Sequence, residues 1–253
     1  MKRKALAALL VLLSACSGAE KEAASSGAPA NAQRVDQSTS STLTGRVSFN
    51  GAAPRNPMVK LSGDPMCTRA HASGLAFENY MVKDGGLDNV FVYVKNGLGN
   101  YHFDAPAQAV KLDQQGCRYM PHVIGIQVGQ PLEIANSDDT MHNVHAMPEV
   151  NREFNHGQHV KDMKNIETFS TAEVMVPLKC DLHPWMKAYV GVVAHPYYAV
   201  TTDGGKFELK SLPPGTYTLE AWHEKAGTQT QQVTIGPKET RDVAFTFTSA
   251  AAN

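Results

Sequence analysis

Short runs that alternate apolar and polar residues, each closed by turn chemistry, constrain this chain more than any other feature. Asn89 to Gly97, "NVFVYVKNG", sets Val90, Val92 and Val94 on one face and Phe91 and Tyr93 on the other. Successive side chains of a strand point to opposite faces, so a period of two marks a strand rather than a helix. "TGRVSF" (Thr44 to Phe49) runs into Asn50-Gly51, and "VIGIQVG" is parted from "LEIANS" by Gly129-Gln130-Pro131. Further on come "KFELKSL", "TYTLEAWH", "QQVTIG" and "DVAFTFT", with Asp203-Gly204-Gly205 and Pro213-Pro214-Gly215 between them. Gly supplies positive φ and Pro presets a turn, so each cluster ends a strand. The expected class is all-β, built as sandwiches or barrels. No long stretch carries a helical period. Asn151 to Asn165, "NREFNHGQHVKDMKN", is polar and irregular and reads as a long loop holding at most one turn of helix.

The N-terminus reads as a targeting segment. Lys2, Arg3 and Lys4 precede the apolar run Ala5 to Leu13, far shorter than the roughly 20 residues a spanning helix needs. "LSAC" (Leu13 to Cys16) resembles a bacterial lipobox. The resemblance implies cleavage before Cys16, lipidation of Cys16, and a chain anchored in the bacterial cell envelope and facing the periplasm. An ordinary secretory signal cleaved nearby is the alternative. Ser17 stands where an aspartate would mark inner-membrane retention, which points to the outer membrane. Residues 16–42 hold one bulky aliphatic, Val35, too little apolar surface to offset ordering entropy, so they read as a flexible tether. With residues 1–15 removed, three of the 23 Lys+Arg go, leaving 20 against 24 Asp+Glu. No basic stripe indicates nucleic acid.

Three cysteines follow Cys16: Cys67, Cys117 and Cys180. In an oxidising compartment two should pair and one is left over. An unpaired thiol there oxidises unless something holds it. Cys180 is the one among metal-ligand residue types, so the expected disulfide is Cys67–Cys117; a weaker alternative is a metal held by Cys67 and His71.

Cys180, His183 and Met186 are spaced C-x2-H-x2-M in "CDLHPWM". A thiolate, two imidazoles and a weak thioether form the ligand set of a mononuclear electron-transfer copper. The second imidazole must come from a neighbouring strand, and "DDTMHNVHAMP" (Asp138 to Pro148) offers His142 and His145. Three blocks in this order resemble the cupredoxins of the amicyanin, plastocyanin and pseudoazurin group. They are "GIQVGQPLEIANSDDTMHNVH" (Gly125 to His145), "CDLHPWM", and "YVGVV" (Tyr189 to Val193). The resemblance covers about residues 108–196 and implies a Greek-key β-sandwich holding one type 1 copper. It makes His142 the ligand, as the histidine directly before Asn-Val, and leaves His145 a surface or hydrogen-bonded residue. Asn143 would tie the His142 strand to the Cys180 loop, with Pro184 beside His183, and Met186 would be axial. His183, with Pro184 and Trp185, would present its ring edge to a redox partner. The lead-in "EVMVPLK" departs from the family, with Leu178 at its aromatic position and Pro177 before it. Met147, His156, His159 and Met163 lie in the segment between His142 and Cys180; they read as a solvated polar loop, with a second weak copper site as the alternative.

A binuclear copper centre needs a second cysteine in the loop, and there is none. A multicopper oxidase needs histidines flanking the cysteine, where Lys179 and Asp181 stand. The chain therefore reads as a non-enzyme.

Thr201 to Ile235 resembles the carboxypeptidase-regulatory-like sandwich, an immunoglobulin-like structural module, through "DGGKFEL" and "LPPGTYTL". The module's opening strands resemble "TGRVSFNGAAP" (Thr44 to Pro54) and "NVFVYVKN". This implies a discontinuous sandwich of residues 43–107 plus 197–249 with the copper unit, 108–196, inserted; two domains in series are the alternative. The expected function is one-electron transfer by a lipid-anchored copper protein. Copper binding and delivery without a redox role, or a zinc or structural site, are the other readings.

Overall fold

The computed structural model describes residues 31–61 and 63–249. The signal-like segment and Cys16 lie outside the described residues. Among the described residues, eighteen strands and one short helix are formed. The N-terminal third supplies β1 (Ser41–Asn50), α1 (Pro65–Ala70), β2 (Val82–Lys83), β3 (Gly86–Leu87) and β4 (Phe91–Asn96). The middle supplies β5 (Val110–Gln114), β6 (Tyr119–Met120), β7 (Val123–Gln127), β8 (Leu132–Asn136), β9 (His142–Ala146), β10 (Phe154–Gln158), β11 (Lys164–Glu167), β12 (Glu173–Lys179) and β13 (Lys187–Val193). The last third supplies β14 (Tyr198–Val200), β15 (Lys206–Leu212), β16 (Gly215–His223), β17 (Gly227–Ile235) and β18 (Thr240–Thr248).

Four sheets make two sandwiches. In the first, β1 lies between β15, antiparallel, and β18, parallel, with Val47 opposite Phe245 and Gly45 opposite Phe207. The facing sheet runs β14-β4-β16-β17. Alternation carries Leu43, Val47 and Phe49 of β1 and Val243, Phe245 and Phe247 of β18 inward, against Val92, Val94, Tyr217 and Leu219. Strands nearly 200 residues apart in sequence thus share one sheet and one core.

The second sandwich pairs the sheet β10-β9-β12-β13-β7 with β11-β8-β5-β6. Its core joins Leu112, Ile126, Ile134, Val144, Val176, Leu178 and Val190. Pro177 lies opposite Tyr189 on the β13 side. Toward β9 it needs no donor, because pairing there covers only Leu178 and Lys179 while its carbonyl accepts from Met147 N–H at 3.0 Å. A proline is tolerated in a strand where its missing N–H would have had no partner.

Three features differ from the sequence expectation. Residues 151–165 are not one long loop: β10 pairs with β9 and β11 begins at Lys164 and pairs with β8. Local polarity concealed these strands because the inward residue Gln158, wholly buried, is polar. Its amide donates to Ile134 O and Asn165 Oδ1, both at 3.0 Å. The end of the expected tether packs on the fold: Gln33 N–H donates to Asn100 O at 3.0 Å and Arg34 pairs with Asp104 at 2.9 Å. Leu61, Met66 and Cys67, within the stretch expected in the first sandwich, pack into the core of the second.

The sandwiches meet at a glycine window. Gly125 of β7 and Gly191 of β13 are register partners. A Cβ at Gly191 would lie 2.4 Å from Phe91 Cζ, and one at Gly125 would lie 2.3 Å from Tyr198 Cδ2. Any side chain there would hold off the rings of β4 and β14, so glycine is required for this approach. Phe91, Tyr93, Val123 and Val193 form the apolar cluster at the junction.

Candidate metal centre

His142 opens β9 and points into the second sandwich, wholly buried. The loop before it is held from both ends. Asn136 Nδ2 donates to Thr140 O at 2.9 Å, and Asn136 Oδ1 accepts from Asp138 N–H at 3.0 Å. Asp138 is itself buried. Its carboxylate accepts from Gly116 and Cys117 N–H, each at 2.7 Å, and lies 3.0 Å from His142 Nε2.

Cys180 leaves the end of β12, and its loop closes on itself. Cys180 N–H donates to Met186 O at 3.1 Å and Met186 N–H to His183 O at 2.8 Å. This C-x2-H-x2-M turn carries Cys180, His183 and Met186 inward, at 1 %, 5 % and 1 % exposure. Asn143, the residue after His142, accepts from Asp181 N–H at 2.8 Å. It therefore ties the two ligand-bearing segments together. The Trp185 indole donates to Cys117 O at 3.0 Å.

The ligand atoms converge. His142 Nδ1 and His183 Nδ1 are 3.0 Å apart, and Cys180 Sγ is 3.7 Å from His183 Nδ1. The two ring nitrogens and the sulfur lie within 4.8 Å of one another. Met186 packs in the same core cluster as Cys180. Each ring's far nitrogen faces a carboxylate: His142 Nε2 faces Asp138, and His183 Nε2 lies 3.3 Å from Asp64 Oδ2. A carboxylate holds the proton on Nε2, so both Nδ1 lone pairs turn to the centre. Two lone pairs and a sulfur facing one another in a buried space call for a cation.

The electrostatics agree. Burial alone would raise the Cys180 thiol, but hydrogen bonds from His142 and His183 and from backbone at Asn143 and His183 outweigh it and bring it down to about 6. Burial would lower His142, but the Asp138 hydrogen bond and the Cys180 sulfur raise it to about 9. Both shifts favour a protonated His142 facing a Cys180 thiolate when no metal is bound. The donor set fits a soft or borderline metal held by thiolate and imidazole, and it resembles a type 1 copper site.

Cys67 and Cys117 form a disulfide with Cα atoms 5.6 Å apart, and Cys180 remains a buried free cysteine. The bridge excludes a Cys67–His71 metal pair; His71 Nε2 instead lies 2.6 Å from Gly116 O. His145 points away from the centre and bonds Asp181 and Glu153. His156 pairs with Glu167.

The outward edge of His183 is where the structure departs from expectation. It is covered, not presented. α1 packs over it, capped by Asp64, whose Oδ1 accepts from Met66 and Cys67 N–H at 2.7 and 3.0 Å. Cys67 Sγ lies 3.9 Å from His183 Nε2. The disulfide clips this segment to Cys117, so a piece of chain 119 residues upstream closes the site. Pro184 stays exposed and Trp185 half-buried. Asp64 and Asp138 escaped sequence reading as site residues. Asp64-Pro65 does read as a helix cap followed by proline, but nothing local shows which ring it meets.

Residues 183–248 match the model of the carboxypeptidase regulatory-like domain. No curated protein sequence matches the chain. Similar solved structures include a Cu(I) methionine-to-alanine mutant of amicyanin, at 24 % identity over 33 % of this chain and 81 % of that one, TM-score 0.30. A purple cupredoxin from Nitrosopumilus maritimus shows 19 % identity over 32 % of this chain and 97 % of that one, TM-score 0.29. A copper-containing nitrite reductase from Thermus scotoductus shows 22 % identity over 34 % of this chain, TM-score 0.31, and the chain spans 22 % of that enzyme's length. The chain is an all-β protein, similar over about a third of its length to cupredoxins and over its C-terminal stretch to the carboxypeptidase regulatory-like domain.

Proposed function

We propose that this protein is a mononuclear copper protein that carries single electrons in the bacterial cell envelope. The observation that carries the reading is the convergence of His142 Nδ1, His183 Nδ1 and Cys180 Sγ within 4.8 Å at a buried point, with Met186 in the adjoining core. Bound there, copper supplies the Cu(I)/Cu(II) couple. The chain's own part is to hold the ligands still. Asp138 and Asp64 set the two ring tautomers, Asn143 ties the His142 strand to the Cys180 loop, and burial excludes water. Ligands that do not move between oxidation states keep reorganisation small, and outer hydrogen bonds tune ligand basicity.

With the His183 edge covered, electrons leave by Trp185. Its ring centroid is 5.0 Å from that of His183, and with Pro184 it lines a groove of about 460 Å3 together with Met58, Val59, Lys60 and Phe77. A redox partner would dock on this mixed apolar patch. Lipidation at Cys16 would place the centre facing the periplasm.

Copper delivery without redox is the competing reading. Adding Cu(II) to the full chain separates the two. Electron transfer requires an intense visible absorption, lost in Cys180→Ser. A colourless complex whose Cu(I) exchanges readily would favour delivery, and no copper uptake would overturn both.

A further inference from the structure

A second cluster of metal-binding side chains lies on the outer face of the sheet that carries His142. In the β9–β10 ladder the last register pair is His142 with Gln158. One step further puts His159 across from Met141. Gly157 leaves the space between them open: a Cβ there would lie 3.4 Å from His159 Nε2 and 3.9 Å from Met141 Cε. Both side chains therefore lean over the same glycine. The turn that follows, with Asp162 at φ 67°, folds Met163 back, and its sulfur accepts from His159 N–H at 3.2 Å.

His159 is also the odd histidine of the chain. All ten histidines lie among the described residues, and nine rings have a hydrogen-bond partner. His71, His122 and His195 meet carbonyls. His102, His142, His145, His156 and His183 meet carboxylates, and His223 meets backbone N–H. The His159 ring has none among the described residues, and it is exposed. Met141 is 38 % exposed, although a thioether at a strand end gains nothing from solvation.

We propose that Met141, His159 and Met163 form a surface site for a soft monovalent metal ion, Cu(I) in the cell envelope and Ag(I) as its redox-inert equivalent. Two neutral thioethers and an imidazole favour soft ions; Ca(II), Mg(II) and Mn(II) need oxygen donors, which this set lacks. The site is one residue from His142 but shares no ligand with the buried centre. It therefore stands whether or not that centre carries electrons.

The test is a titration of the full chain, labelled at its methionine methyl groups with carbon-13, with Ag(I). Two equivalents should bind. One should shift the Met186 methyl, and the other should shift those of Met141 and Met163 together. His159→Gln should weaken only the surface equivalent, by tenfold or more. Met141→Leu with Met163→Leu should abolish it and leave the Met186 shift intact. His159 is exposed, so its variant should fold, and the retained Met186 shift verifies this. Failure of any equivalent to shift the Met141 and Met163 methyls together, or unchanged affinity of that equivalent in His159→Gln, would overturn the proposal; loss of the Met186 shift alone would count against the buried centre instead.

Discussion

Lowering the pH should weaken metal binding at the buried centre by a known number of protons. Cys180 is held down to about 6 and His142 up to about 9. Between these values the metal-free site holds a thiolate and an imidazolium. A metal needs the thiolate and a neutral imidazole, so binding near pH 7.5 should release about one proton, from His142. Affinity should fall about tenfold for each unit the pH drops between about 9 and 6, or about 1.4 kcal/mol per unit. Below about 6 Cys180 also takes a proton, and the loss should steepen toward about a hundredfold per unit. Zn(II) is the suitable probe, because it accepts sulfur and nitrogen donors and has no redox chemistry. Calorimetric titration in two buffers of different ionisation enthalpy counts the protons directly. Release of no proton at pH 7.5 would show that His142 is already neutral beside a thiolate, and release of two would show that a second ligand is protonated as well. Either count would refute an imidazolium–thiolate pair holding the site's one proton.

Two further outcomes test the cover and the junction. Asp64→Ala removes the cap of α1 and the partner of His183 Nε2; it should cost about 1 kcal/mol of stability and about tenfold in metal affinity, read by urea unfolding and chelator competition. Gly191→Val puts a side chain where Cβ would lie 2.4 Å from Phe91 Cζ; it should destabilise by about 1–3 kcal/mol and separate the unfolding of the two sandwiches in calorimetry, while an unchanged single transition would show that the glycine window does not hold them together.

Much of the site was legible because its parts are local. Cys180, His183 and Met186 sit within seven residues, and their spacing alone puts three donor types on one turn. The strands β1, β4, β16 and β18 were legible because the period of two is a local property of a half-buried strand. β10 was not, because Gln158 is buried by its amide bonds to Ile134 O and Asn165 rather than by hydrophobicity.

By itself, then, the sequence determined the all-β class, the turn positions and the identity of the donors, all of which act over a few residues. Only the tertiary structure decided what surrounds them. Whether β1 pairs with β18, and that Asp64 meets and covers His183, depend on contacts spanning more than a hundred residues. Such contacts form where two distant surfaces happen to be complementary. Asp64 caps α1; it becomes a partner of His183 because the Cys67–Cys117 bridge and the packing of Leu61 and Met66 bring α1 against the Cys180 loop.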